Sequence, residues 1–187
     1  MAKKVQSTLI NMLAVLTCVS AVAALALALV SNVTAEPIAQ AERAKTEAAI
    51  QAVLPEYDRL QETVIAGQTC TEALDAAGSR IGLAVEAKSS KAFGGDLVAM
   101  VGFDADGRVS GYKILKSAET PGLGAKADEW FQKGGKGDVI GTDPATPIAV
   151  KKDGGTVDAI SGSTITSRAF CEIINNAYQI YQKGGNE

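Results

Sequence analysis

The hydrophobic pattern divides the chain into an apolar N-terminal run and a longer part built of short, mixed segments. Residues 9–30 contain no charged side chain. As a helix that rises 1.5 Å per residue, this run would reach about 33 Å, enough to cross a hydrocarbon core of about 30 Å. Because Lys3 and Lys4 precede it, the pattern predicts a cytoplasmic N-terminus and an extracytoplasmic remainder.

A cleaved signal peptide is the alternative interpretation of this run, with residues 33–35 as a passable cleavage site. The apolar region of a signal peptide spans about 7–15 residues, which is shorter than the run observed. We therefore favour an uncleaved, single-pass membrane anchor over residues 1–35. Residues 36–55, rich in Ala, Glu, Lys and Gln, predict a juxtamembrane helix or stalk that ends at Pro55. Its weak apolar stripe fits a solvated spacer as well as a docking surface.

Residues 56–187 predict a small α+β domain with an antiparallel sheet. Apolar and polar residues alternate over 80–87, and the runs 96–103 and 108–115 flank an Asp-Gly turn that is typical of a β-hairpin. A further strand is predicted over 147–151.

Two helices are predicted in the same domain, a short one over 125–132 and a long one over 164–182. The second carries apolar side chains at helical spacing, so we expect it to pack on the sheet.

The composition narrows the possible chemistry. The chain has no histidine, and its three cysteines (Cys18, Cys70 and Cys171) form no C-x-x-C pair. Ser-His-Asp and Cys-His catalysis, imidazole zinc sites, His-ligated haem and four-cysteine clusters are therefore excluded for this chain alone, and no metal site is predicted. Residues 32–187 carry 16 Lys/Arg against 21 Asp/Glu, which disfavours nucleic acid as a partner. A disulfide between Cys70 and Cys171 stays open.

A first glycine-containing motif precedes the long C-terminal helix and runs from Asp158 through Ser161, Gly162 and Ser163 to Thr164. Small residues at a helix start leave backbone N–H groups free beside the positive end of the helix dipole, an arrangement that suits a phosphate. Simple helix capping by Ser161, Ser163 or Thr164 explains the same residues.

A second motif, E-T-P-G-L-G, runs from Glu119 through Thr120, Gly122 and Leu123 to Gly124. It is either a plain connector between strand and helix or a ligand-binding loop. In the second case backbone N–H groups and the Thr120 hydroxyl would meet a planar polar ligand, with Leu123 packed on its face.

Together, in this order and downstream of one anchor, the two motifs resemble the FMN-binding domain of the G subunit of Rnf electron-transport complexes. The C subunit of the sodium-pumping NADH:quinone reductase shares this domain. In that family a D-x-x-[ST]-G-A-T sequence receives FMN through a phosphoester bond to its final threonine, which corresponds here to Thr164. Asp158, Ser161 and Gly162 match this sequence, and Ser163 stands where the family usually has Ala.

The resemblance also implies a place for the second motif, whose residues would lie by the isoalloxazine ring: Glu119, Thr120, Gly122, Leu123 and Gly124. The family often has a histidine shortly before this glutamate. Here the nearby residues are Lys116, Ser117 and Ala118, so any proton-handling role of that histidine is absent or moved.

The function implied by the resemblance is that of an electron-carrying subunit of an ion-translocating oxidoreductase in the bacterial cytoplasmic (inner) membrane. The complex would couple ferredoxin oxidation and NAD reduction to Na⁺ or H⁺ transport. The subunit would relay electrons through FMN without turning over a small substrate, so no catalytic residue is predicted. Its partners would be the other subunits and a flavin transferase, which uses FAD and magnesium, because threonine alone is a poor nucleophile.

Three alternatives stay open. The chain could be a non-catalytic, membrane-anchored assembly domain, with both motifs serving as turns and caps. It could be the C subunit of a sodium-translocating NADH:quinone reductase, although its length of 187 residues favours the Rnf protein. It could also be a stand-alone extracytoplasmic flavoprotein reductase, which would need additional mass to bind a substrate.

Overall fold

A computed structural model describes residues 8–184 of the chain. The helices are α1 (Leu9–Val53), α2 (Ala127–Trp130) and α3 (Thr164–Gly184). The strands are β1 (Arg59–Ile65), β2 (Gln68–Leu74), β3 (Arg80–Ala92), β4 (Gly95–Asp104) and β5 (Val109–Lys116). Short 3-10 turns occupy Gly124–Lys126 and Lys151–Asp153. This architecture confirms the predicted α+β fold with an antiparallel sheet and a packed C-terminal helix.

The predicted anchor and the predicted juxtamembrane helix form one element, α1, which includes Pro37. In length and composition it is the one helix among residues 8–184 that is suited to crossing a membrane. Lys3 and Lys4, on which the predicted orientation depends, lie outside the described residues. The contacts divide the chain into two compact units, one ending at Ala44 and one beginning at Lys45, and the sheet belongs to the second.

Five antiparallel strands form the sheet in the order β1-β2-β3-β4-β5, so each strand pairs with its neighbour in the sequence. The predicted β4–β5 hairpin is confirmed. Its turn is held by Asp104 Oδ1, which accepts hydrogen bonds from the N–H groups of Asp106 (3.0 Å) and Arg108 (2.9 Å). Gly107 at this turn has a φ of 79°, a conformation that glycine adopts without strain.

The prediction of a strand over 147–151 is wrong. Val150 makes only an isolated bridge to Val157, and a 3-10 turn follows. The reason is a contact with α3: the Ile148 N–H donates to Asn175 Oδ1 (2.9 Å), and Asn175 Nδ2 donates to the Ile148 carbonyl (2.9 Å). A side chain of α3 therefore satisfies the backbone groups that a neighbouring strand would have satisfied.

One face of the sheet packs against α3, as its apolar spacing predicts. The largest buried side chains of this core include Phe103, Phe131 and Phe170. Phe131 and Phe170 stack with their ring centroids 4.3 Å apart, and Tyr112 contacts the edge of Phe170 at 4.6 Å. Because α3 begins at Thr164, this packing also fixes where the first motif lies.

The other face of the sheet packs against the last residues of α1. Ala49 and Val53 are buried there against small residues of the sheet. A Cβ added at Gly102 would collide with the Val53 carbonyl, and one added at Gly111 would lie 3.0 Å from Val53 Cα. Ser110 Oγ donates a hydrogen bond to the same carbonyl at 2.6 Å. The end of this predicted helix is therefore a docking surface for the sheet.

Candidate functional site

The structure brings the two motifs together around one cavity of about 390 Å³. Six of the predicted site residues line it: Glu119, Thr120, Leu123, Gly162, Ser163 and Thr164. Four others do not: Asp158, Ser161, Gly122 and Gly124. A cavity of this size is in the range of small-molecule and cofactor sites.

The first motif forms a tight turn that leads directly into α3. Gly162 has a φ of 78°, and the Ser163 N–H donates to the Ile160 carbonyl at 3.0 Å. The turn is closed from inside the helix by Ser167, whose hydroxyl accepts the Ile160 N–H and donates to the Ser163 carbonyl, both at 2.9 Å. The first N–H groups of α3 have no partner within the helix, and Thr164 stands at this helix start.

Thr164 has a cationic neighbour. Its hydroxyl accepts a hydrogen bond from Lys152 Nζ at 3.4 Å, and the Thr164 side chain is half-buried. The Lys152 ammonium and the dipole of α3 together make the surroundings of this hydroxyl suitable for an anion.

Two further cations near the motif are paired with carboxylates. Lys151 Nζ lies 2.7 Å from Asp158 Oδ2, which accounts for the position of Asp158 outside the cavity. Arg168 donates two hydrogen bonds of 2.6 Å to the Asp153 carboxylate and lowers the pKa of that group. These two ion pairs connect the 3-10 turn at Lys151–Asp153 to the first motif and to α3.

The second motif places a buried carboxylate in the cavity wall. Its loop is held by the Thr120 carbonyl, which accepts the N–H groups of Leu123 (3.1 Å) and Ala125 (3.2 Å). Glu119 is 9% exposed, and its Oε1 accepts the Gly94 N–H at 3.2 Å. Glu119 thus offers a hydrogen-bond acceptor to a ligand in the cavity.

Four residues that line the cavity were not predicted as site residues from the sequence: Phe93, Lys152, Ile165 and Thr166. Phe93, Leu123 and Ile165 are 71%, 44% and 50% exposed, so they form an apolar rim around a polar floor. The one signal in the sequence was the Phe93-Gly94-Gly95 turn, in which a large apolar residue stands at a loop.

A larger cavity of about 570 Å³ lies beside the first, and Ile165 lines both. Lys91 pairs there with Glu172 at 2.6 Å, and Arg168 pairs with Asp153. Its charges therefore neutralise one another. Burial raises the pKa of the Cys171 thiol in its wall to about 12, which makes this thiol a poor nucleophile.

The smaller cavity fits a flat ring attached to an anionic group. The apolar rim can contact ring faces, the Glu119 carboxylate can accept from a ring N–H, and Lys152 with the start of α3 can receive a phosphate. The buried Thr166 hydroxyl, which has no hydrogen-bond partner among residues 8–184, adds an unsatisfied polar group to the floor.

Comparison with known proteins shows which class of domain the chain contains. The FMN-binding domain family matches residues 93–179, which include both motifs and every residue that lines the cavity. The chain therefore contains an FMN-binding domain over these residues.

The particular family follows from the relatives of the chain. The G subunit of the Na(+)-translocating ferredoxin:NAD(+) oxidoreductase complex of Acetobacterium woodii is 33% identical over 184 residues, covering 88% of this chain and 87% of that protein. The G subunit of the ion-translocating oxidoreductase complex of Shewanella baltica is 31% identical over 170 residues, covering 80% and 78%. The chain belongs to this family of G subunits of ion-translocating oxidoreductase complexes, which confirms the resemblance seen in its motifs.

Among solved structures, the crystal structure of Shewanella oneidensis NqrC has a TM-score of 0.49 and 20% sequence identity to this chain. The match covers 64% of this chain and 59% of that one.

Proposed function

We propose that the chain relays electrons through one FMN, joined by a phosphoester bond to the Thr164 hydroxyl, with its isoalloxazine ring in the cavity between the two motifs. The observation that carries this proposal is the meeting of Thr164 and the E-T-P-G-L-G loop around one cavity. Bound FMN supplies the electron-accepting and electron-donating chemistry, and the chain supplies binding, orientation and charge.

Each end of the site has its own task in this proposal. At the phosphate end, the first N–H groups of α3 and the Lys152 ammonium stabilise the negative charge of a phosphoester at Thr164. At the ring end, Phe93, Leu123 and Ile165 cover apolar surface and exclude water. Among the predicted cofactor residues that do not line the cavity, Asp158 braces the first motif through Lys151.

The membrane part of the proposal rests on α1. We assign residues 1–35 to the cytoplasmic tip and a single-pass anchor, 36–55 to the juxtamembrane segment and 56–187 to an extracytoplasmic FMN-binding domain. The apolar composition of α1 and membership of the G-subunit family support this arrangement. The partners of the chain in this proposal are the other subunits of the complex, together with a flavin transferase during maturation.

The name of the Acetobacterium woodii relative supplies the expected redox partners and ion: ferredoxin, NAD and Na⁺. A covalent tether suits an extracytoplasmic electron carrier, because a lost cofactor could not easily be replaced from the cytoplasm. We assign this chain to the same reaction, with H⁺ as the alternative coupling ion.

Replacing the acceptor hydroxyl tests the attachment. In the full chain co-expressed with a flavin transferase, we expect Thr164→Ala to abolish both the added mass of FMN and in-gel flavin fluorescence after denaturing electrophoresis. Thr146→Ala is the matched control, because it makes the same change at an exposed threonine that lies outside both motifs and does not line the cavity, and it should leave loading unchanged.

Two outcomes would contradict the proposal. Persistent fluorescence in Thr164→Ala would show that the flavin is attached elsewhere. A wild-type chain that weighs only what its amino acids weigh would instead favour a non-catalytic assembly domain.

A further inference from the structure

Thr166 and Ser167 are adjacent buried hydroxyl residues of α3 with different surroundings. Ser167 makes two hydrogen bonds that hold the turn before the helix. Thr166 is 1% exposed, and its Oγ1 has no hydrogen-bond partner within residues 8–184. Buried polar side-chain atoms are nearly always paired, so an unpaired one beside a binding cavity indicates a functional partner.

A candidate partner of this hydroxyl is the Glu119 carboxylate, which lines the same cavity. A Cβ added at Gly124 would collide with Glu119 Oε2 and would lie 2.8 Å from Thr166 Oγ1, so both oxygen atoms border the same small volume. Glu119 Oε1 already accepts the Gly94 N–H. Oε2 is therefore the carboxylate atom that faces Thr166, and the missing side chain at Gly124 leaves room for both groups.

A ring that occupies the cavity would remove water from the Glu119 carboxylate, which lies in the cavity wall. A desolvated carboxylate oxygen costs free energy unless it accepts a hydrogen bond. A threonine hydroxyl rotates to suit its acceptor, and a hydrogen bond to an ionised acceptor is about twice as strong as a neutral one. One bond from Thr166 to Glu119 would satisfy both groups.

We propose that Thr166 is a positioning residue whose hydroxyl donates to Glu119 Oε2 and holds this carboxylate beside the flavin, where its negative charge disfavours flavin reduction. The inference rests on the proposed FMN site. Because Glu119 is 9% exposed, its charge is screened less by water and salt than a surface charge would be. Adding electrons to a ring beside this charge therefore requires a more negative potential.

The test is a redox titration of the full, FMN-loaded chain in detergent, followed by flavin absorbance, with loading verified by intact mass. We expect Glu119→Gln to shift the equilibrium about tenfold toward reduced flavin, which is about 30 mV for a two-electron couple. Thr166→Val should shift it in the same direction by about threefold, and Thr166→Ser, which keeps the hydroxyl, should stay close to wild type.

A double variant separates positioning from a direct effect. If Thr166 acts through Glu119, Thr166→Val adds nothing to the potential of Glu119→Gln. The inference would be overturned if Thr166→Val shifted the flavin potential equally in wild type and in Glu119→Gln, or if it caused no shift in wild type. Thr142→Val is the matched control: it removes a hydroxyl that bonds the Val139 carbonyl away from the cavity, so it should lower stability without moving the potential, and an equal shift there would also count against Thr166.

A measurement that needs no flavin keeps this inference distinct from the attachment at Thr164. In the full chain produced without a transferase, Thr166→Val should leave the folding equilibrium unchanged or favour the folded state, because it removes an unpaired buried hydroxyl. A tenfold or larger fall in the folding equilibrium constant of Thr166→Val would assign the hydroxyl a structural role and overturn the inference. Absence of FMN from the wild type co-expressed with a transferase would contradict the proposed function, whereas the folding result for Thr166→Val bears on this inference alone.

Discussion

On one face of the sheet α3 buries large aromatic side chains, whereas on the other face the end of α1 packs against Ala73, Ala84 and Met100 and lies close to the backbone at Gly102 and Gly111. The first contact depends on side-chain volume, since Phe170 fills the space between Phe131 and Tyr112. The second depends on close backbone approach, since Gly102 has no Cβ to meet the Val53 carbonyl. Opposite kinds of substitution should therefore damage the two faces, and the proposed flavin site, at the start of α3, should respond mainly to substitutions on the first face.

The largest effect is expected for Phe170→Ala. Its side chain is fully buried, so removing the ring leaves a cavity and costs about 3–5 kcal/mol in the free energy of unfolding. Because α3 carries Thr164, flavin loading should fall as well. Denaturant unfolding followed by near-UV circular dichroism gives the first quantity, and intact mass gives the second. A cost below about 1 kcal/mol would contradict the assigned role of side-chain volume.

A smaller effect is expected for Gly102→Ala, which adds one carbon to the other face. The new Cβ would meet the Val53 carbonyl and lie 2.7 Å from Ser110 Oγ, so the end of α1 must shift at a cost of about 1–3 kcal/mol. Flavin loading should be retained, because the cavity lies at the start of α3. The same unfolding assay applies, with Val64→Ala as an exposed control that should change stability by less than about 0.5 kcal/mol. Lost loading in Gly102→Ala would show that the two faces are not independent.

The smallest effect concerns the charges that flank the α3 face. Hydrogen bonds from Lys91 and then from Ser89 lower the pKa of Glu172 below its usual value of 4.5. The ionised form therefore favours the folded state at neutral pH, and this contribution is lost as the pH falls through the lowered pKa. We expect Glu172→Gln to cost less than about 1 kcal/mol near pH 7, because the Lys91 side chain is 75% exposed. Its stability should converge with that of wild type near about pH 3, and a constant difference between the two pH values would refute this explanation.

Elements set by local chemistry were predictable from the sequence, and elements set by distant contacts were not. The Asp-Gly turn predicted the β4–β5 hairpin, and the apolar spacing predicted α3. Strands β1 and β2 were missed because four of the seven residues in each are polar, and in β2 the polar Thr71 is buried, so neither strand shows a clear alternation of apolar and polar positions. The strand expected at 147–151 failed because Asn175, 27 residues away along the chain, takes the backbone hydrogen bonds of Ile148.

The residues of the candidate site divide in the same way, into those that the local sequence predicts and those that only the fold brings together. The two motifs were recognisable because glycines and small hydroxyl residues mark turns that approach a ligand, and both motifs meet at one cavity. Lys152 and Thr166 carry no such mark, because their relevance depends on which side chains the fold brings beside them. Lys152 reaches Thr164 through the 3-10 turn at Lys151–Asp153. The unpaired hydroxyl of Thr166 follows only from its burial beside Gly124.

Trp130 is the single tryptophan of the chain, and its Nε1 donates a hydrogen bond to the Asp158 carbonyl at 2.8 Å. The indole is thereby fixed to the beginning of the motif that leads to Thr164, the proposed attachment residue. Indole emission overlaps flavin absorption, so energy transfer would quench this fluorophore if FMN is bound as proposed. The polypeptide thus contains an intrinsic optical probe with which the proposed attachment can be followed in real time without adding a label.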